Sequence, residues 1–109
     1  MDKEDEAPNG LGPFGEEKAV EHLLKEGYVI RERNWKALNH AEIDIIAQID
    51  TTIVFVEVKS RSRTDILDPA EAVTPAKIRK LVAAANRYMS LLEADYEYRF
   101  DIITVSGEG

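Results

Sequence analysis

The chain has 109 residues, 44% of them hydrophobic and 32% charged, with a formal net charge of −7 and no cysteine. That size suits one domain with one core, and the absence of cysteine excludes disulfides and thiolate metal sites. The acidic balance weighs against tight, non-specific nucleic-acid binding, although carboxylates that hold a divalent cation cease to act as bare negative charge.

Residues 1–14 are polar and acidic, with Asp2, Glu4, Asp5 and Glu6 followed by Pro8, Gly10, Gly12 and Pro13. They read as a disordered lead-in. They contain no apolar segment of the signal-peptide kind, and no apolar run in the chain is long enough to span a bilayer, so a cytoplasmic location without a membrane partner is expected. From Gly15 to Glu26, Ala19, Val20, Leu23 and Leu24 recur at one-turn spacing and predict a helix, which Gly27 caps. His22 falls on its outer surface. Tyr28 to Arg33 alternates and predicts a first strand. Asn34-Trp35-Lys36 and Asn39-His40 then form a polar connection, in which Trp35 is either a base-stacking residue or a partly buried anchor.

Ala41 to Arg61 is the stretch that carries chemistry. Two runs rich in Ile, Val and Phe, Ala41–Ala47 and Ile53–Arg61, flank a short polar break at Asp50-Thr51-Thr52 and predict a hairpin. Each run contains charge. Residues two apart on a strand share a face, so strict alternation puts Glu42 with Asp44, and Phe55 with Glu57 and Lys59. Charges inside apolar strands are costly unless they are paired or bind a metal. After Arg61 the chain is polar through Ser62-Arg63-Thr64-Asp65. Asp68-Pro69 and Thr74-Pro75 both resemble helix starts. From Pro75 to Leu92, Ile78, Leu81, Val82, Ala85, Tyr88, Met89 and Leu92 form a long apolar stripe. Tyr98 to Val105 predicts a last strand, and 106–109 is tail. The domain is therefore residues 15–105. The order helix, strand, strand, strand, helix, strand predicts an α/β domain, a small mixed sheet flanked by helices. The last two strands run parallel across the long helix.

Asp44, Glu57 and Lys59 have a joint chemical rationale. Magnesium takes hard oxygen ligands, one or two carboxylates with water and phosphate. A lysine beside them can orient an attacking water or offset charge that develops on a phosphate. The alternative is a solvated, ion-paired strand face.

The ordered set Gly15-Glu16 with Ala19, Arg33-Asn34, Glu42-Ile43-Asp44, Phe55-Val56-Glu57-Val58-Lys59-Ser60-Arg61, Ala72-Val73-Thr74-Pro75 with Lys77, and Arg99-Phe100-Asp101 resembles the bacterial YraN family. Asp44 followed by Glu57-Val58-Lys59 resembles the core of the PD-(D/E)XK nuclease superfamily. The match covers about Gly15 to Val105, with Ala41 standing where the family usually has glycine. The resemblance implies a restriction endonuclease-like fold with a four-stranded central sheet, and a site similar to that of archaeal Holliday junction resolvases. It implies a magnesium- or manganese-dependent endonuclease acting on DNA, branched DNA included. Asp44 and Glu57 would be metal ligands, with Glu16 and the backbone carbonyl of Val58 as further ligands, and Lys59 would be the catalytic lysine. Glu16 has an alternative role at a helix N-terminus, and Glu42 is read as supporting the site by pairing with Lys36 or Arg61. Arg33, Arg61, Lys77 and Arg63 are candidates for phosphate contacts, with a solvated charge favoured for Arg63. Asp101 is expected to pair with a basic residue of the sheet. A homodimer is expected because a resolvase must address paired strands. The alternative is a catalytically silent module of the same fold that binds nucleic acid or a protein.

Overall fold

A computed structural model describes residues 12–37, 41–61 and 74–106. Its elements are α1 (Gly12–Lys25), β1 (Val29–Lys36), β2 (Glu42–Ile49), β3 (Thr52–Arg61), α2 (Pro75–Ser90) and β4 (Glu97–Ser106). The strands form one sheet in the order β1-β2-β3-β4. β1 with β2 and β2 with β3 pair antiparallel, and β3 is parallel to β4. This is the predicted order and the predicted mixed sheet, and it is compatible with a restriction endonuclease-like fold.

The two central strands explain the arrangement. Ile45, Ile46 and Ala47 of β2 and Ile53, Val54, Phe55 and Val56 of β3 are all buried. Strands buried on both faces need cover on both faces. One core joins Ile46, Ile53 and Phe55 to Ala84, Ala85 and Tyr88 of α2. The other joins Ile45, Ala47, Val54 and Val56 to Ala19 and Leu23 of α1. The helices therefore lie on opposite faces of the sheet. The β2–β3 turn places Asp50 at φ 52°, a conformation aspartate tolerates, and Gln48 donates to its carbonyl at 2.7 Å. Thr74 caps α2 by accepting from the Lys77 N–H at 3.1 Å, and Pro75 follows where its missing N–H costs nothing.

The element boundaries depart from expectation at a few ends. α1 starts at Gly12 rather than Gly15. Proline is tolerated in a first turn, and Gly15 is used for closeness: a Cβ there would strike the Ser60 hydroxyl of β3. α2 ends at Ser90, with Leu91 as its cap, rather than running to Leu92. β1 continues to Lys36, through residues expected to form a connection. The rest of the expected lead-in, His40, the helix start at Asp68-Pro69 and the tail from residue 107 lie outside the described residues.

β1 continues because Asn34 takes φ 53°. Arg33 on one side of it reaches Glu16 and Glu17 of α1, while Trp35 on the other packs edge-on against Tyr88 of α2, centroids 5.2 Å apart. One left-handed residue thus sends its two neighbours to opposite faces. Its side chain also donates to Glu16 Oε2 at 2.8 Å. Replacing Asn34 with alanine loses that bond and leaves at φ 53° a residue that tolerates the left-handed region less well than asparagine. Asn34→Ala should destabilise by about 1–2 kcal/mol, and Asn34→Gly should recover part of the loss, as read by denaturant unfolding.

Candidate functional site

Strand pairing around Asp44 is interrupted on both sides. In the β1–β2 ladder the paired residues are Trp35 with Ile43 and Arg33 with Ile45. Asn34 and Asp44 occupy the positions between those pairs. Ile43 joins the α2 core, whereas Ile45, two residues on, joins the α1 core. Strict alternation therefore breaks between Ile43 and Ile45, while Glu42 stays near enough to Asp44 for its charge to raise that carboxyl's pKa. The cause is the same local twist that Asn34 introduces in β1.

In the β2–β3 ladder the last pair is Ile45 with Val56. Continued pairing would bring Asp44 opposite Glu57. Instead the Val58 N–H donates to Asp44 Oδ2 at 2.9 Å. A carboxylate oxygen takes the place of a strand carbonyl, and β3 continues with β4 to Arg61 opposite Ser106. A gap flanked by acids opens where β2 and β3 part.

The chemistry gathers at that gap. Asp44 is half-buried, and its pKa rises from the ordinary 3.8 to about 6. Loss of hydration is the main cause, the negative charges of Glu57, Glu16 and Glu42 add to it, and the Val58 N–H acts in the opposite sense. Asp44 thus feels acids from α1, its own strand and β3. Glu57 is half-buried and meets Lys77 Nζ of α2 at 3.3 Å. Lys59, also half-buried, lies two residues further along β3, on the face of Glu57 by alternation. Val58, between them, packs against the α1 core.

The remaining candidates are placed as follows. Glu16 is not in the first turn of α1, so the helix-terminus role does not apply; it accepts from Asn34 and sits 3.5 Å from Arg33. Glu42 is exposed and stands opposite Lys36, one of its two expected partners, in the ladder. Arg33 and Lys77, expected at phosphates, are engaged by Glu17 at 3.0 Å and by Glu57. Asp101 pairs with Arg99 at 3.1 Å, on its own strand. Trp35 is an anchor against Tyr88. Arg61 lies on β3, and Arg63 lies outside the described residues. Two contributors escaped the sequence reading. Asn34 has only its tolerance of positive φ as a signal. The Lys77–Glu57 pair joins residues far apart in the chain, and no local pattern marks it.

Among the described residues, no three His, Cys, Asp or Glu side chains close into a metal cage. The donor set at the gap is of a sparser kind: hard carboxylate oxygens of Asp44 and Glu57 from adjacent strands. That composition fits magnesium or manganese, which keep several waters.

A sequence model for the Uncharacterised protein family UPF0102 matches residues 15–105. The chain is similar to a UPF0102 protein of Bacteroides fragilis, at 50% identity over 92% of this chain and 82% of that one. It is also similar to one of Flavobacterium psychrophilum, at 52% identity over 92% and 83%. A longer relative in Oleidesulfovibrio alaskensis is 46% identical over 89% of this chain and 48% of its own.

The raised pKa of Asp44 has a sign that can be tested. A carboxyl that is harder to ionise when folded favours the native state where it is protonated, and this contribution fades as pH rises from near 4 through about 6. An asparagine keeps an oxygen for the Val58 N–H and carries no charge. Asp44→Asn should therefore raise Tm near neutral pH, by the equivalent of ~1 kcal/mol after allowance for solvent screening, and change it little below about pH 4. Calorimetric scans across that range check this.

Proposed function

The chain belongs to the UPF0102 family, and from that premise we propose that it hydrolyses DNA phosphodiesters with a magnesium or manganese ion at the β2–β3 gap. The observation that carries this reading is the half-buried Asp44 carboxylate, held by the Val58 N–H and raised in pKa by burial first and then by neighbouring acids. Mutually repelling carboxylates in a partly desolvated gap lose stability unless a cation joins them.

Asp44 and Glu57 would hold the ion, with Glu16 and the Val58 carbonyl as further oxygens. When bound, the ion supplies Lewis acidity at a phosphoryl oxygen and makes its water easier to ionise. Lys59 would orient the attacking water or meet charge growing on the phosphate. Lys77 and Arg33 are held by acids of the site, so an arriving cation and phosphate could exchange partners with them: acids to the ion, bases to the phosphate. Arg61, the last residue of β3, and Arg63, two residues on in the sequence, would add phosphate contacts. Branched DNA is the preferred substrate of this reading, and the bacterial cytoplasm its place of action.

A second reading has its own observation. Lys77 on Glu57, and Arg33 with Asn34 on Glu16, satisfy two of the acids without any ion. Together with the net charge of −7, this suits a module of the same fold that binds nucleic acid or a protein without cutting.

The two readings part under manganese. The purified chain, mixed with junction, flap and linear DNA, should nick or resolve at least one of them, and Lys59→Ala should lower the rate by about a hundredfold or more. Asp44→Asn and Glu57→Gln should abolish manganese binding in calorimetry. No cleavage of any substrate, or undiminished cleavage by Lys59→Ala, rejects the enzyme and leaves the binding module.

A further inference from the structure

Glu16 reaches the β2–β3 gap from α1, and its neighbours show how it is brought there. Gly15, the residue before it, is buried, and a Cβ at that position would strike the Ser60 hydroxyl and lie 3.7 Å from a Val58 methyl. α1 therefore packs directly on β3 beside the gap. The Glu16 side chain is 20% exposed, and its charge is felt at Asp44.

Packing carries the helix to the gap but leaves the Glu16 side chain its choice of rotamers. Two residues of β1 narrow that choice. Asn34 Nδ2 donates to Glu16 Oε2 at 2.8 Å, and an Arg33 nitrogen lies 3.5 Å from Oε1. The contacts are unequal. The arginine contact is long, and the guanidinium makes its shorter bond, 3.0 Å, to Glu17. The asparagine bond is short and its donor is neutral, so it orients the carboxylate without cancelling its charge. Glu57, by contrast, is met by the Lys77 ammonium at 3.3 Å. A carboxylate oriented by a neutral amide remains a full hard-oxygen donor for a divalent cation.

Asn34 is itself held. It takes φ 53° and occupies the position between the Trp35–Ile43 and Arg33–Ile45 pairs, as Asp44 does on β2. Asparagine adopts that conformation readily and brings an N–H donor with it, whereas ionised aspartate, which also adopts it, presents only acceptors. We propose that Asn34 is a positioning residue of the metal site: its amide fixes the Glu16 carboxylate as a third oxygen donor beside Asp44 and Glu57. This role is separate from the bend that its backbone gives β1, and it rests on the metal-binding reading of the β2–β3 gap.

Manganese titration of the full chain by calorimetry tests the role, with circular dichroism to confirm folding. Glycine adopts positive φ freely, so Asn34→Gly keeps the bend of β1 and removes the amide. Asn34→Gly should weaken manganese binding by roughly fivefold, and Glu16→Ala by roughly tenfold. In the Glu16→Ala background, Asn34→Gly should weaken binding no further, because the amide acts through the carboxylate. A residue that serves the fold alone would lower Tm and leave manganese affinity unmoved, or would lower affinity by the same factor with and without Glu16; either result overturns the proposal. Parental affinity in Glu16→Ala overturns it too. If the parent binds manganese and Asp44→Asn abolishes binding, while Asn34→Gly binds as the parent does, the role of Asn34 fails and the metal site stands. A parent that binds no manganese removes both.

Discussion

The bond from the Val58 N–H to the Asp44 carboxylate is the contact on which the site depends. It closes the β2–β3 ladder with a side chain instead of a carbonyl. A strand that needs an acceptor at that point obtains one, and an acid is fixed at the sheet's opening. The same bond favours the ionised form of Asp44, while burial and three neighbouring acids oppose it. Backbone structure and electrostatic stress meet in one residue.

The stress is distributed among bases that belong to other elements. Lys77 from the first turn of α2 takes Glu57, and Arg33 and Asn34 from β1 take Glu16. These pairs are partly exposed, so each contributes little to stability alone. Their effect is to hold carboxylates in place that would otherwise splay apart. In a chain with a net charge of −7, these bases sit where the acids do.

The sheet's edges differ in character. β1 is bent by Asn34 and by a register shift between Ile30 and Glu32, where Arg31 turns to the Tyr88 hydroxyl at 2.8 Å. An irregular, charged edge discourages a further strand. β4 is regular, aromatic on one face and ion-paired on the other.

Local sequence pattern determined the element order, the hairpin, the parallel last pair and the identity of Asp44, Glu57 and Lys59 as residues out of place in apolar strands. Period-two alternation and a helical stripe are short-range signals, and apolar cost marks a charge wherever it falls. The start of α1 was not legible, because a buried Gly15 looks the same in sequence as a flexible one and only its closeness to Ser60 distinguishes them. Nor was the reversal of faces between Ile43 and Ile45, which rests on one left-handed residue in the neighbouring strand. The choice of Lys77 as the partner of Glu57 belongs to the packing of α2 on the sheet. Residue types and spacing are properties of the chain; which charge meets which is decided by packing, since it joins residues the chain itself keeps far apart.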